Sequence, residues 1–203
     1  MVSSMISIMV SRLNKQLPEP LNQLSLGAVR HRKFMTGEAL FYQGDKSRGL
    51  FYVLSGVVEL RRTSESGHEA LMFRAPAGNT FAEASLFHNT YHCDAIATEP
   101  SEVIECSRSA LLTQYRTDIN FALSMGERFA TQVQQSRVRQ EVLSIKSAEE
   151  RVYRAIDAGM HYGSARSLAN EIGLSPEAVY RALSALSKCG RVQKNHDGLY
   201  VTS

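Results

Sequence analysis

One stretch near the C-terminus constrains this chain more than any other: Ser164 through Leu183, reading S-A-R-S-L-A-N-E-I-G-L-S-P-E-A-V-Y-R-A-L. Leu168 and Ile172 stand one helical turn apart and share a face. Gly173 then supplies the left-handed residue that ends a helix at little steric cost. Ser175 is a capping residue, and Pro176 falls at the first helical position, where its missing N–H is no loss. Val179, Leu183 and Leu186 repeat at helical spacing and predict the buried stripe of a second helix, with Leu174 placed to fill the space between the two. This helix–glycine–helix punctuation predicts a helix-turn-helix, whose second helix enters the major groove of double-stranded DNA. Its outward face carries Glu177, Tyr180, Arg181 and Ser184. An arginine can bond guanine O6 and N7 together, and a glutamate can accept from the cytosine amino group. The same four-residue spacing also suits a plain surface salt bridge, and it is the surrounding punctuation that favours DNA.

Downstream, Cys189–Lys194 and His196–Val201 flank an Asp197-Gly198 turn and predict a small wing. Arg191, Lys194 and His196 are placed there to meet phosphates. Upstream, residues 20–106 are punctuated by Gly37, Gly44, Gly49, Gly56, Gly67 and Gly78. Short strand-like runs lie between them: Leu50–Leu54 and Val57–Arg62 around a tight Ser55-Gly56 turn, then Ala70–Phe73 and Ser101–Cys106. That pattern predicts a β-sandwich or barrel. The run from 107 to 146 has no proline and one glycine, Gly126. Ala122, Gly126, Phe129, Val133, Ser136, Gln140 and Leu143 alternate at spacings of three and four, the seam of a long helix. Such a seam faces either a second copy of the chain or its own β-domain. The expected division is therefore 1–106, 107–146 and 147–203, an α+β chain.

Composition adds bounds. The 203 residues carry a formal net charge of +3, which permits nucleic-acid binding without demanding it. Cys93, Cys106 and Cys189 are too few and scattered for a disulfide framework, so a reducing cytoplasm is expected. No run approaches eighteen apolar residues, so no membrane span is expected. Met1 to Val10 is apolar but short and lacks a basic flank, and it reads as an N-terminal segment rather than a signal peptide. For an enzyme, the β-domain resembles cupins in outline, but His31, His68, His88 and His92 are scattered, and no hydrolase elbow, phosphate loop or zinc-helix motif occurs. No enzymatic activity is expected.

Taken together, Gly37–Asp45 (GEALFYQGD), Gly49–Gly56 (GLFYVLSG), Gly78–Phe87 and the helix-turn-helix resemble the CRP/FNR family of bacterial transcription regulators, from about Leu21 to Val201. The resemblance implies an N-terminal double-stranded β-helix (jelly roll) of cyclic-nucleotide-binding type, a long dimerisation helix and a C-terminal winged helix-turn-helix. It implies a homodimer on a near-palindromic operator, with recognition helices about one DNA turn, roughly 34 Å, apart. RNA polymerase is the further partner if the protein activates. Ser175, Glu177 and Arg181 match DNA-contacting positions of the family, and Arg166 lies where members touch the backbone. Pro176 stands where the catabolite activator has an arginine, so that contact is missing here.

The resemblance also implies an effector region: Glu83, Ala84, Ser85, Tyr91 and His92 in the β-domain, with Ser136 and Arg137 on the long helix. Cyclic-nucleotide-binding members wrap the phosphate with a Gly-Glu-x-small-Leu segment, here Ala82-Glu83-Ala84-Ser85-Leu86, and add a downstream Arg-Ser. This chain has Tyr91-His92-Cys93-Asp94 instead. A buried cyclic phosphate without a cation is poorly compensated, which disfavours cyclic AMP. An iron–sulfur cluster needs four cysteines, and three are present. A haem would draw on His88, His92 and Cys93, and the cofactor stays unassigned. An effector acts only through differential affinity for two states, expressed at a hinge near Ser144 to Ala148. The alternative function is a sensing module that works through protein contacts.

Overall fold

The computed structural model describes residues 14–64, 67, 69–160, 164–196 and 198–202. The N-terminal Met1–Val10 segment, His68 and Asp197 lie outside the described residues. The chain forms two compact units, 1–126 and 127–203, so the β-unit takes up helical residues beyond the expected boundary at 106.

Eight strands build the first unit: β1 (Val29–Phe34), β2 (Ala39–Phe41), β3 (Gly49–Ser55), β4 (Val57–Thr63), β5 (Glu69–Pro76), β6 (Thr80–Phe81), β7 (Asp94–Ala97) and β8 (Ser101–Ser107). They form two antiparallel sheets, ordered β1-β8-β3-β6 and β2-β7-β4-β5, which is the expected roll. The Ser55-Gly56 turn joins strands of different sheets, so it is a corner rather than a hairpin. The reason lies at Gly56, whose φ is +80° and where a Cβ would sit 2.4 Å from the Pro100 carbonyl oxygen. The Val57 N–H donates to Ser101 Oγ at 3.1 Å and pins the corner to β8. The hairpin belongs to β4 and β5, paired from Val57↔Pro76 to Thr63↔Glu69 with a register shift between Leu60 and Arg61. Alternate residues of both sheets point inward, and the space between them is filled by Phe41, Phe51, Phe81 and Tyr91. Phe51 stacks on Phe81 at 5.1 Å and Phe41 on Tyr91 at 3.6 Å between centroids.

Two helices follow, α1 (Arg108–Thr117) and α2 (Ile119–Ser144). The run expected as one helix divides at Asp118. Its Oδ1 accepts from the N–H groups of Asn120 (2.9 Å) and Phe121 (3.1 Å), starting a new helix where a continuous one would need Asp118 inside it. Phe121, Met125 and Val142 are buried, whereas Leu123, Val133, Val138 and Leu143 are exposed.

The second unit contains α3 (Ala148–Asp157), α4 (Ala165–Ile172), α5 (Pro176–Lys188) and the antiparallel pair β9 (Val192–Lys194) and β10 (Tyr200–Thr202). Val152, Ala155, Leu168, Ile172, Val179 and Leu186 form its core. Arg151 reaches across to donate to the carbonyls of Ile145 (2.7 Å) and Ile172 (3.1 Å), satisfying groups that end α2 and α4. Among the described residues, no helix is long and apolar enough to cross a membrane.

Backbone crowding makes one glycine irreplaceable. At Gly49, with φ +148°, a Cβ would lie 1.8 Å from the Cys106 carbonyl oxygen. Gly49→Ala is expected to cost more than about 3 kcal/mol, from overpacking plus strain. Gly78→Ala, with φ +90° but open space around it, is expected to cost only about 1 kcal/mol. Urea denaturation of both variants checks the ordering, and equal losses would refute it.

Candidate DNA interface and effector region

Local capping builds the helix-turn-helix. Ser164 Oγ accepts from Ser167 N–H at 3.1 Å and starts α4. Gly173, at φ +64°, ends that helix, and Leu174 N–H donates back to the Ala169 carbonyl at 2.9 Å. Ser175 Oγ then accepts from Ala178 N–H at 3.2 Å, with Pro176 at the first position of α5. Val179, Leu183 and Leu186 point into the core, which leaves Glu177, Tyr180, Arg181 and Ser184 on the exposed side. Tyr180 is 61% exposed.

Glu177 and Arg181 lie on one face without forming the salt bridge their spacing allows. The Glu177 carboxylate turns back to its own backbone N–H and to Ser175, and these hydrogen bonds hold it below the usual glutamate range, with Arg181 and Arg166 adding to the shift. Arg166, exposed on α4, therefore shares the electrostatic surroundings of Glu177 and Arg181 on α5. Sequence spacing gives no sign of that neighbourhood, because the residues sit on different helices.

In the wing, the turn is held by Asn195, whose Oδ1 accepts from Leu199 N–H at 2.9 Å and whose own N–H donates to the Leu199 carbonyl at 2.9 Å. Lys194 is exposed, with Nζ 5.3 Å above the Tyr200 ring. His196 is also exposed. Arg191, expected at phosphates, is part-exposed and engaged by α3. Its guanidinium lies 3.7 Å over the Tyr153 ring and pairs with Glu150 at 3.0 Å, so it fastens the wing to α3.

The expected effector residues divide. Glu83–Phe87 form a short 3-10 helix entered through Ala82 at φ +67°. Glu83 is half-buried, Ala84 exposed and Ser85 buried. Ser85 N–H donates to the Ala82 carbonyl at 3.1 Å, and the Ser85 carbonyl accepts from Ser47 Oγ at 2.8 Å. Tyr91 is corrected from effector contact to core: it is 1% exposed, its ring stacked on Phe41. Its hydroxyl accepts from Arg48 N–H (3.0 Å) and donates to the Gly49 carbonyl (3.3 Å). Outside the core, His92 is exposed, its ring edge-on to His88 at 4.6 Å. Cys93 is half-buried, and burial raises its thiol pKa. Asp94 accepts from Gln43 N–H at 2.7 Å. Ser136 and Arg137 are exposed on the part of α2 that belongs to the second unit. Among the described residues, no three His, Cys, Asp or Glu side chains gather as a metal site.

Tyr91→Phe keeps the stacked ring and removes both hydroxyl bonds, so a loss of about 1–3 kcal/mol is expected in chemical denaturation, with the fold retained. An unchanged midpoint would mean that the hydroxyl is dispensable. Glu177 offers a pH test. Its folded-state pKa is lowered, so its stabilising contribution is present above the ordinary glutamate value and is lost as pH falls through the folded value. A carboxyl-carbon NMR titration should place Glu177 below ordinary glutamates, and a value at or above them would contradict the geometry.

Comparison with known proteins agrees with the architecture. A model of the cyclic nucleotide-binding domain matches residues 31–118. The cyclic AMP receptor protein of Thermus thermophilus is 29% identical over 184 residues, spanning 87% of this chain and 85% of that protein. The structure of FixK2 from Bradyrhizobium japonicum superposes with a TM-score of 0.62 at 20% identity, over 86% of this chain and 92% of that one. DNR from Pseudomonas aeruginosa superposes with a TM-score of 0.54 at 25% identity, over 94% and 90%. With its cyclic nucleotide-binding domain followed by this helical unit, the chain is similar in sequence and fold to regulators of the CRP/FNR type.

Proposed function

We propose that this regulator is a homodimeric, sequence-specific DNA-binding protein that acts on a near-palindromic operator in the cytoplasm. The observation that carries the reading is the exposed polar face of α5. A helix capped by Ser175 and anchored by Val179, Leu183 and Leu186 presents Glu177, Tyr180 and Arg181 to solvent, with Arg166 beside them. In this reading Arg181 and Glu177 address base edges, Ser175 and Arg166 meet the backbone, and Lys194 adds a phosphate contact from the wing. Arg191 serves as the wing's anchor.

Residues 107–146 supply the dimer contact. Support comes from α2, where Val133 and Leu143 of the expected seam are 49% and 39% exposed, an unusual cost for a helix with no second copy beside it. Residues 147–203 then bind DNA and 1–106 carry the effector function. RNA polymerase is the partner if the protein activates. At the family's effector position cyclic AMP is disfavoured. Tyr91 fills the interior, and the Tyr91-His92-Cys93-Asp94 run supplies no arginine where cyclic-nucleotide-binding members have one. Glu83, Ala84, Ser85 and His92 remain as the contacts of a different ligand, with Ser136 and Arg137 as the helix contribution.

Selection from a random duplex library followed by gel shift tests the assignment. Arg181→Ala is expected to cost about 1–3 kcal/mol on the selected operator and to relax specificity at one base pair per half-site. Lys194→Ala is expected to weaken binding to every sequence alike and to reduce the salt slope by about one. A chain that selects no sequence at moderate salt would favour the protein-contact module instead.

A further inference from the structure

The first unit contains a second charged feature, away from the Glu83–Phe87 segment. A cleft of about 540 Å³ opens beside β1 and β8 and is lined by Arg30, His31, Arg32, Arg48 and Glu105. Strand pairing creates it. Arg30 stands opposite Glu105 and Arg32 opposite Val103, so both arginines share the face of β1 that Glu105 and Val103 occupy on β8. Glu105 is 7% exposed, and it pairs with Arg32 at 3.2 Å and Arg48 at 3.9 Å.

Charge does not balance there. One buried carboxylate needs about one cation for its own compensation, and this one pairs with two guanidiniums while a third, that of Arg30, lines the same cleft. His31 adds nothing to neutralise them, because it is bonded to Glu102 at 2.8 Å, which Lys33 also holds. Arg30 is exposed and has no ion pair among the described residues. Arg48 is held at several points. Its N–H donates to the Tyr91 hydroxyl, its carbonyl accepts from Arg108 N–H at 2.7 Å, and one guanidinium nitrogen donates to the Leu40 carbonyl at 2.9 Å. Glu105 likewise orients Arg32. These are fixed, planar donors in a concave site of small-molecule size, the arrangement that recognises phosphate groups by paired hydrogen bonds.

We propose that this cleft binds a phosphorylated small molecule, with Arg30, Arg32 and Arg48 as the phosphate ligands and Glu105 as the residue that positions two of them. The site lies outside the Glu83–Phe87 segment, with Arg48 bonded through its N–H to Tyr91, and does not depend on the DNA-binding reading.

Calorimetric titration of the full chain at physiological salt tests it, with inorganic pyrophosphate, ADP and a poly-glutamate peptide as probes. Saturable binding of one pyrophosphate or ADP per chain is expected. Arg30→Gln should weaken it about tenfold and Arg30→Lys should restore part of the loss. Arg30 is exposed and unpaired, so the Gln variant should melt with the wild type. Arg181→Ala should leave the affinity unchanged, which separates this cleft from the basic face of α5. ADP binding more tightly than pyrophosphate identifies a nucleotide as the source of the phosphate, and equal affinities identify inorganic polyphosphate. No saturable binding of either probe, an affinity indifferent to Arg30→Gln, or a preference for poly-glutamate would overturn the proposal.

Discussion

The backbone of Ser47, Arg48 and Gly49 is the point on which the first unit depends. The Tyr91 hydroxyl bridges Arg48 N–H and the Gly49 carbonyl, Ser47 Oγ holds the Ser85 carbonyl, and Arg108 N–H donates to the Arg48 carbonyl. Arg108 Nε also reaches the Leu86 carbonyl at 2.9 Å. One three-residue segment thus ties the start of β3 to the Glu83–Phe87 segment, to Tyr91 and to the first residue of α1. Close approach is what makes these bonds possible, and only a glycine at position 49 allows it. A displacement of residues 83–91 would have to break buried hydrogen bonds or move β3 and α1 with it. That rigidity couples residues 83–91 to β3 and to the first residue of α1.

In the second unit the equivalent role falls to the turn between α4 and α5. Each of its bonds joins residues only a few positions apart: Ser164 to Ser167, Leu174 to Ala169, Ser175 to Ala178. That locality explains why the helix-turn-helix was legible in the sequence down to the cap residues and the left-handed glycine. The α2 break was less so, because an aspartate at 118 is tolerable within a helix and its capping bonds decide the matter only once formed.

Long-range pairing was not legible. Tyr91 sits in a polar run, Tyr91-His92-Cys93-Asp94, that looks like an exposed loop, yet its partners are Phe41 and the backbone of residues 48–49, more than forty positions away. Arg191 looks like a free wing cation, and Glu150 and Tyr153, which hold it, lie about forty residues earlier on α3. The Ser55-Gly56 corner has the composition of a hairpin turn, and only the Val57–Ser101 bond and the approach of Pro100 send β3 and β4 into different sheets. Charge type and turn composition are local properties, whereas the sheet that a strand joins is set by pairings that loop closure must bring together.

The distribution of charge across the first unit follows the same logic. Beside the Glu83–Phe87 segment, Asp94 is fixed by Gln43 N–H, and the neighbouring interior is closed by stacked aromatic rings. The cation at that segment, Arg108, is already committed to the Leu86 carbonyl, in surroundings that penalise unpaired charge. Beside β1 and β8, guanidiniums exceed carboxylates around a buried Glu105. Removing the carboxylate would leave Arg32 and Arg48 to repel each other, and removing the arginines would strand a buried charge, so neither half is stable alone. Arg30 is different, because no ion pair among the described residues requires its charge. A cation that the fold does not need, held beside two that it has fixed, is best understood through what it can bind from outside.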